Sequence, residues 1–214
     1  MEQQFQYYAF ISYKREDEKW AKWLQDRLRW YKLPSKLCRQ ITRLPKKVWP
    51  VFRDNTDLDS GRLEENIRHE LERSHYLIVI CSPEAARSPW VGKEVKYFAT
   101  LHGADKIIPF VVSGIPYSND IETECIHEQI KAISQEELLA INVREEGIGS
   151  FAMKKKRAFI RVVARLLDIK FNTLWQPYER ILRIRKWSTG IGVVFILIRF
   201  IHLVGLLPLS LIHI

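Results

Sequence analysis

YLIVIC, residues 76–81, is a continuous apolar run rich in β-branched side chains. A strand with one wet face alternates apolar and polar residues. This one does not, so both of its faces are expected to be buried, as in a parallel sheet covered by helices on both sides. Working outward, IIPFVV (107–112) has the same character, YAFISY (8–13) is a short aromatic and apolar run, and Val51 with Phe52 begins another strand.

Helical spacing fills the gaps. Asp17 is the expected N-cap of a helix carrying Trp20, Leu24, Leu28 and Tyr31 on one face, ended by Pro34. Residues 35–50 read as a basic connector. Ser60 is the expected cap of a helix with Leu63, Ile67 and Leu71. In SPWVGKEV (88–95), the Ser88 hydroxyl is placed to cap free N–H groups, and Pro89 loses nothing at the first helical position. Trp90, Glu94 and Phe98 then line that helix. Ser134 and Glu137 have capping-box spacing, and residues 159–167 form a last amphipathic helix.

Alternating strands and helices with continuous apolar strands predict an α/β fold, an open, doubly wound parallel sheet with right-handed crossovers. Such sheets bind ligands outside the carboxyl ends of their strands. That brings SYKR (12–15), RDNTDLDSG (53–61) and CSPEAARSPW (81–90) to one rim. Neither common Gly-rich phosphate loop is present, which argues against ordinary dinucleotide or nucleoside-triphosphate binding.

The 214 residues, 47% of them hydrophobic, suffice for one domain with a real core and something extra. Cys38, Cys81 and Cys125 are far apart and odd in number. They read as reduced structural thiols, with no metal-site spacing. The start, MEQQFQYY, lacks the basic and apolar regions of a secretory signal, so the folded part is expected in the cytoplasm. The net charge is +9, and it is local: between Met153 and Lys186, eleven Lys/Arg face two acids, leaving the rest of the chain balanced. The cluster has no stacking aromatics in a nucleic-acid pattern, so no nucleic-acid partner is expected. It precedes an apolar stretch, which suggests a membrane surface.

That stretch, residues 189–214, exceeds the ~20 residues needed to span a bilayer. Arg199 and His202 interrupt it, and a mid-membrane arginine costs roughly 2.5–3.5 kcal/mol. Apolar neighbours return about 0.3–0.6 kcal/mol each, so insertion is narrowly favoured. Arg180, Arg183, Arg185 and Lys186 would hold the N-terminal side in the cytoplasm. The last six residues, LSLIHI, resemble translated sequencing-adapter sequence, so a truncated chain is expected.

Three boxes in order, AFISYKREDEKWAKWLQDRL, VFRDNTDLDSG and YLIVICSPEAARSPWVGKEV, resemble the Toll/interleukin-1 receptor (TIR) domain in its bacterial form. They match its opening strand, its BB loop and its W-x-x-x-E helix start. The resemblance implies a flavodoxin-like fold over residues 5–170, followed by a basic linker (171–188) and a C-terminal apolar helix (189–214). It implies one of two functions: cleavage of NAD+ at the nicotinamide–ribose bond, switched on by TIR–TIR self-association and used in anti-phage defence, or non-enzymatic scaffolding as an adaptor.

For the enzyme, the resemblance makes Glu94 the catalytic residue, with NAD+ as substrate and no separate cofactor or metal. Lys14 and Arg15 are then candidates to pair with the pyrophosphate, beside Ser12 and Tyr13 at the end of the first strand. Asp54, Leu58 and Gly61 of the BB loop would cover the ligand or touch a neighbouring TIR domain. Trp90 belongs to the same candidate set, although packing against the sheet is its simpler role.

Overall fold

The protein is described by a computed structural model covering residues 5–41, 44–45, 47–53, 61–133, 140–144, 149–176 and 179. It divides into two compact units, Met1–Phe171 and Asn172–Ile214.

In the first unit, β1 (Tyr7–Ser12), β2 (Val51–Arg53), β3 (Ser74–Cys81), β4 (Ile107–Val111) and β5 (Ile141–Asn142) form one parallel sheet in the order β2-β1-β3-β4-β5. The direction of winding reverses between β1 and β3. That is the topological switch point of the 2-1-3-4-5 flavodoxin-like arrangement. Phe10 pairs in register with Phe52 on one side and Leu77 on the other.

Residues 76–81 are buried throughout, from Tyr76 at 4% exposure to Leu77 at none, as their unbroken apolar run requires. Alternate side chains serve opposite faces. Phe10, Leu77, Val79, Ile107 and Val111 pack with Ile67 and Leu71 of α3 (Gly61–Glu72) and Val91, Val95 and Phe98 of α5 (Pro89–His102). On the other face, Trp23 of α1 (Glu18–Trp30) stacks on Phe110 and meets Phe159 of α7 (Phe151–Leu166) edge-on. Each such buried Leu, Ile, Val or Phe contributes about 1.5–3 kcal/mol of transfer free energy.

Several expectations need correction. The first strand ends at Ser12, so Tyr13 lies beyond it. Asp17 stands at the N-cap position of α1 as expected, but its side chain makes no cap hydrogen bond; its carboxylate turns inward to Ser82 instead. The Ser88 hydroxyl does not cap α5 either: Ser88 is buried, and its carbonyl accepts the Gly92 N–H at 3.2 Å. The connector after Pro34 contains the short α2 (Ser35–Gln40). Strand β5 was not anticipated, because two residues carry no periodicity.

Helix α7 begins eight residues before the expected 159, capped by the Ser150 hydroxyl, which accepts the Met153 N–H at 3.4 Å. Within its lysine run, the Lys155 ammonium sits 4.4 Å from the centre of the Trp20 ring and 4.1 Å from that of Trp23. Long lysine stems cover apolar surface in this way.

Among the described residues no helix is long and apolar enough to cross a membrane. The expected apolar helix at 189–214 lies outside the described residues, as do Ser60, the Ser134–Glu137 capping box, Asp54 and Leu58.

Candidate functional site

Helix α5 leaves the carboxyl end of the sheet through α4 (Pro83–Ala86), and this connection builds the site. The Ser82 hydroxyl accepts the Ala85 N–H at 3.0 Å and caps α4. It also donates to Asp17 Oδ2, tying the loop after β1 to the turn after β3. Asp17 is 8% exposed, and burial raises its pKa above the ordinary carboxylate value, with the Ser82 hydrogen bond opposing that shift. Ser12 is 1% exposed, and its hydroxyl oxygen is buried without a hydrogen-bond partner. Ser12, Asp17 and Ser82 therefore occupy the switch point, where β1 and β3 diverge.

The second cluster centres on Arg53, at the end of β2. Its guanidinium donates to the Tyr13 hydroxyl at 2.9 Å and to Gln25 Oε1 at 3.1 Å, and pairs with Glu18 at 3.3 Å. The Arg53 side chain is 8% exposed, so it joins β2, the loop after β1 and α1 from inside. Lys14 and Arg15 follow Tyr13 in the same loop, and Arg15 opens a 3-10 turn, Arg15–Asp17.

The third cluster is a groove of about 300 Å³ between α3 and α5. Ile67, Arg68 and Leu71 form one wall. Trp90, Lys93, Glu94, Lys96 and Tyr97 form the other, with Thr100 at its end. Trp90, Glu94 and Tyr97 fall on one helix face by their spacing. Ile67 and Leu71 are buried and make the floor apolar, while Glu94 is partly buried. Trp90 is 40% exposed, contrary to the expectation that it packs on the sheet, and its ring carries the Lys93 ammonium at 4.7 Å. The Arg68 guanidinium stands 5.4 Å from the Tyr97 ring, and the Tyr97 hydroxyl donates to Glu72.

The groove thus unites Trp90 and Glu94 as their spacing predicted. Ser12, Tyr13, Lys14 and Arg15 do not line it. Gly61 supplies the first residue of α3, one wall of the groove. Sequence reading missed Arg68, Lys93, Lys96 and the Asp17–Ser82 pair. All three cations are exposed residues of helices, where charge ordinarily means solvent, and only the packing of α3 beside α5 makes them lining residues of one groove.

Neither Cys81 nor Cys125 offers a nucleophile: burial pushes the Cys125 thiol up to about 12 and that of Cys81 well above its ordinary value.

The groove can hold a small, partly apolar group beside one carboxylate, with cations at hand for an anionic extension. The chain is similar to known proteins. NAD(+) hydrolase ApTIR of an Actinoplanes species is 36% identical over 110 residues, which is 50% of this chain and 14% of that protein. The match therefore reaches a small part of that relative's length. The TIR domains in the structure of the activated Roq1 resistosome directly recognizing the pathogen effector XopQ are 14% identical. They align over 72% of this chain and 98% of that one, with a TM-score of 0.46. The TIR domain profile matches residues 9–146, well over half the length. The chain belongs to the TIR domain family.

Proposed function

We propose that the protein is an NAD+ glycohydrolase acting through Glu94. The observation that carries this reading is the placement of Glu94 with Trp90 in one apolar-floored groove whose other charged lining groups, among the described residues, are cations. The name of the Actinoplanes relative, an NAD(+) hydrolase, supports the same chemistry.

Ordinary glycosidases need two carboxyl groups, one to protonate the leaving oxygen. Nicotinamide needs no such acid, because its ring nitrogen is already cationic in NAD+. The bond from C1′ to that nitrogen breaks with its electron pair on nitrogen, and nicotinamide departs neutral. Positive charge builds on the ribose, and an ionised Glu94 beside it stabilises that charge most where water is scarce. Water then adds to C1′ and gives up a proton, leaving ADP-ribose. Ser12, Tyr13, Lys14 and Arg15 are the rim through which the rest of the substrate or a neighbouring TIR domain would be met; Asp54 and Leu58, outside the described residues, remain candidates for the same contacts.

The reading includes self-association of TIR domains as the activating step and a role in defence signalling. It also includes a membrane anchor at 189–214 that leaves the TIR domain on the cytoplasmic side, favoured by the basic segment before it.

The test is NAD+ consumption by the full chain clustered on beads, with Glu94→Gln beside it. Turnover that drops by at least about 10²–10³-fold in the mutant is expected from loss of one electrostatic stabiliser. Absence of turnover in clustered, folded wild-type protein would replace the enzyme by the adaptor reading.

A further inference from the structure

The segment that joins α1 to β2 has no role in the chemistry above, and its charge is one-sided. Arg27 to Pro50 carries eight Lys/Arg and no Asp or Glu. Arg27, Arg29, Lys32, Arg39 and Lys47 are exposed. Next to Arg29 stands Trp30, the last residue of α1, which at 76% exposure is the most exposed large apolar side chain among the described residues. We propose that this face docks on an anionic lipid bilayer, with Trp30 seated at headgroup level and the cations against the headgroups. This goes beyond the glycohydrolase reading and does not depend on it.

Packing sorts the side chains of this segment. Leu28, Leu33, Leu37 and Val48 are buried. Tyr31 turns inward, its ring edge-on to Phe159 at 5.3 Å, and burial pushes its hydroxyl up to about 12. Trp30, its neighbour, turns outward. The Arg29 guanidinium stands over two indoles, 5.7 Å from the centre of the Trp30 ring and 5.5 Å from that of Trp49. These cation–π contacts tie the end of α1 to the approach to β2 and brace Trp30 in its outward position. Lys32 and Lys47 each lie two residues from one of these rings. Arg27 carries the positive surface toward α7: burial lowers the Lys155 pKa, and Arg27 lowers it further. The Pro50 carbonyl accepts the Tyr8 N–H at 2.7 Å, so this face lies at the amino ends of the strands. Glu94 belongs to the helix that leaves the opposite, carboxyl edge, so docking here keeps its groove open to substrate.

The chemistry of the face selects the occupant. Single-stranded nucleic acid is held on a succession of stacking rings. Here one ring is exposed, and Trp49 is partly buried beneath Arg29. A tryptophan at a bilayer sinks its apolar body among the headgroups and keeps its N–H toward water. Lys and Arg beside it are drawn by the negative surface potential of acidic lipids, an attraction that fades within a Debye length. The exposed cations come from the end of α1, from α2 and from the two connections that flank α2. A continuous layer of headgroup charge meets such a spread of positions without demanding a register. The anchor proposed at 189–214 would hold the domain beside a layer of this kind.

The experiment mixes the full chain with vesicles of phosphatidylcholine, with or without phosphatidylserine, whose acyl chains are brominated near the headgroup. Bromine quenches the fluorescence of an indole that reaches it. The difference between wild type and Trp30→Phe cancels the other tryptophans and reports Trp30 alone. That difference is expected on vesicles with phosphatidylserine and absent on phosphatidylcholine alone. The variant Lys32→Gln/Arg39→Gln/Lys47→Gln, changed only at exposed positions, should reduce it on the order of tenfold or more at limiting lipid, and added salt should do the same. Equal quenching in wild type and Trp30→Phe overturns the proposal; if both are then strongly quenched, the segment at 189–214 meets the bilayer without this face. A Trp30 signal that is the same with and without phosphatidylserine, or that survives the triple variant, leaves the cations idle and overturns it too. So does a signal that appears with a single-stranded oligonucleotide, or with rising protein concentration in the absence of lipid, and not on vesicles: the occupant is then nucleic acid or a second copy. NAD+ turnover is measured separately and is independent of all these outcomes.

Discussion

Asp17 and Ser82 are 65 residues apart in the chain and joined by a buried hydrogen bond, with the serine hydroxyl donating to the aspartate. Asp17 follows β1 and Ser82 follows β3, so the bond closes the sheet at its switch point. From there the chain runs through α4 into the helix that bears Glu94.

This pair makes the first prediction. Ser82→Ala removes the cap of α4 and strands a buried carboxylate. Destabilisation of about 2–4 kcal/mol is expected in urea denaturation at neutral pH. Asp17→Asn keeps the shape and an acceptor for the hydroxyl, and should be far milder. The pH dependence distinguishes the two further. Burial raises the Asp17 pKa above its ordinary 3.8, so the folded chain holds that proton more tightly than the unfolded one. The associated stability is fully present below pH 3.8 and is lost as pH rises through the folded value. The Asn variant lacks this loss, so its stability relative to wild type should improve as pH rises from 3 to 7 on the order of the acid titration range.

Gly92 supplies the second prediction. A Cβ at this position would lie 2.5 Å from His127 Cε1 and 2.8 Å from Nε2. The imidazole is pinned, its Nδ1 accepting the Gln129 N–H at 3.0 Å and the ring also hydrogen-bonding the Ser88 backbone. Gly92→Ala gains up to ~1 kcal/mol of helix propensity but meets a ring that cannot withdraw cheaply. A net loss of about 1–2 kcal/mol is expected. The double variant Gly92→Ala/His127→Ala should be more stable than the sum of the single effects allows, which a double-mutant cycle measures.

A third prediction concerns acid sensitivity. Burial lowers the pKa of His75, His102 and His127 below the ordinary 6.5. Each of these groups favours the folded state fully above pH 6.5, and that contribution is lost as pH falls through the folded value. His127 adds a specific cost, since a protonated Nδ1 cannot accept from Gln129. Urea midpoints should fall between pH 7.5 and about 5, with proton uptake on unfolding across the same range. A flat profile would mean the rings are solvated in the native protein.

Strands were the most legible part of the chain. Residues 76–81 and 107–112 are unbroken apolar runs, and burial on both sides leaves such runs few alternatives. Cap residues were legible only as a type. Asp17, Ser82, Ser88 and Ser150 can all cap, and local sequence does not say which will. Ser82 and Ser150 do so, while Asp17 and Ser88 are buried with their side chains otherwise placed. The difference lies in contacts made by residues far away in the chain.

The same division runs through the site. Helical spacing alone put Trp90 and Glu94 on one face, because the pairing of residues four apart is a property of the helix. Alternation of continuous apolar strands with helices likewise determined a parallel, doubly wound sheet. That α3 packs against α5, and thereby sets Arg68 and Lys96 across a groove from each other, was decided by the tertiary structure. So was the Arg53 bridge to Tyr13 and Gln25. Local periodicity acts over a few residues, whereas these partners are selected by burial and hydrogen bonding between segments that meet only once the sheet has formed.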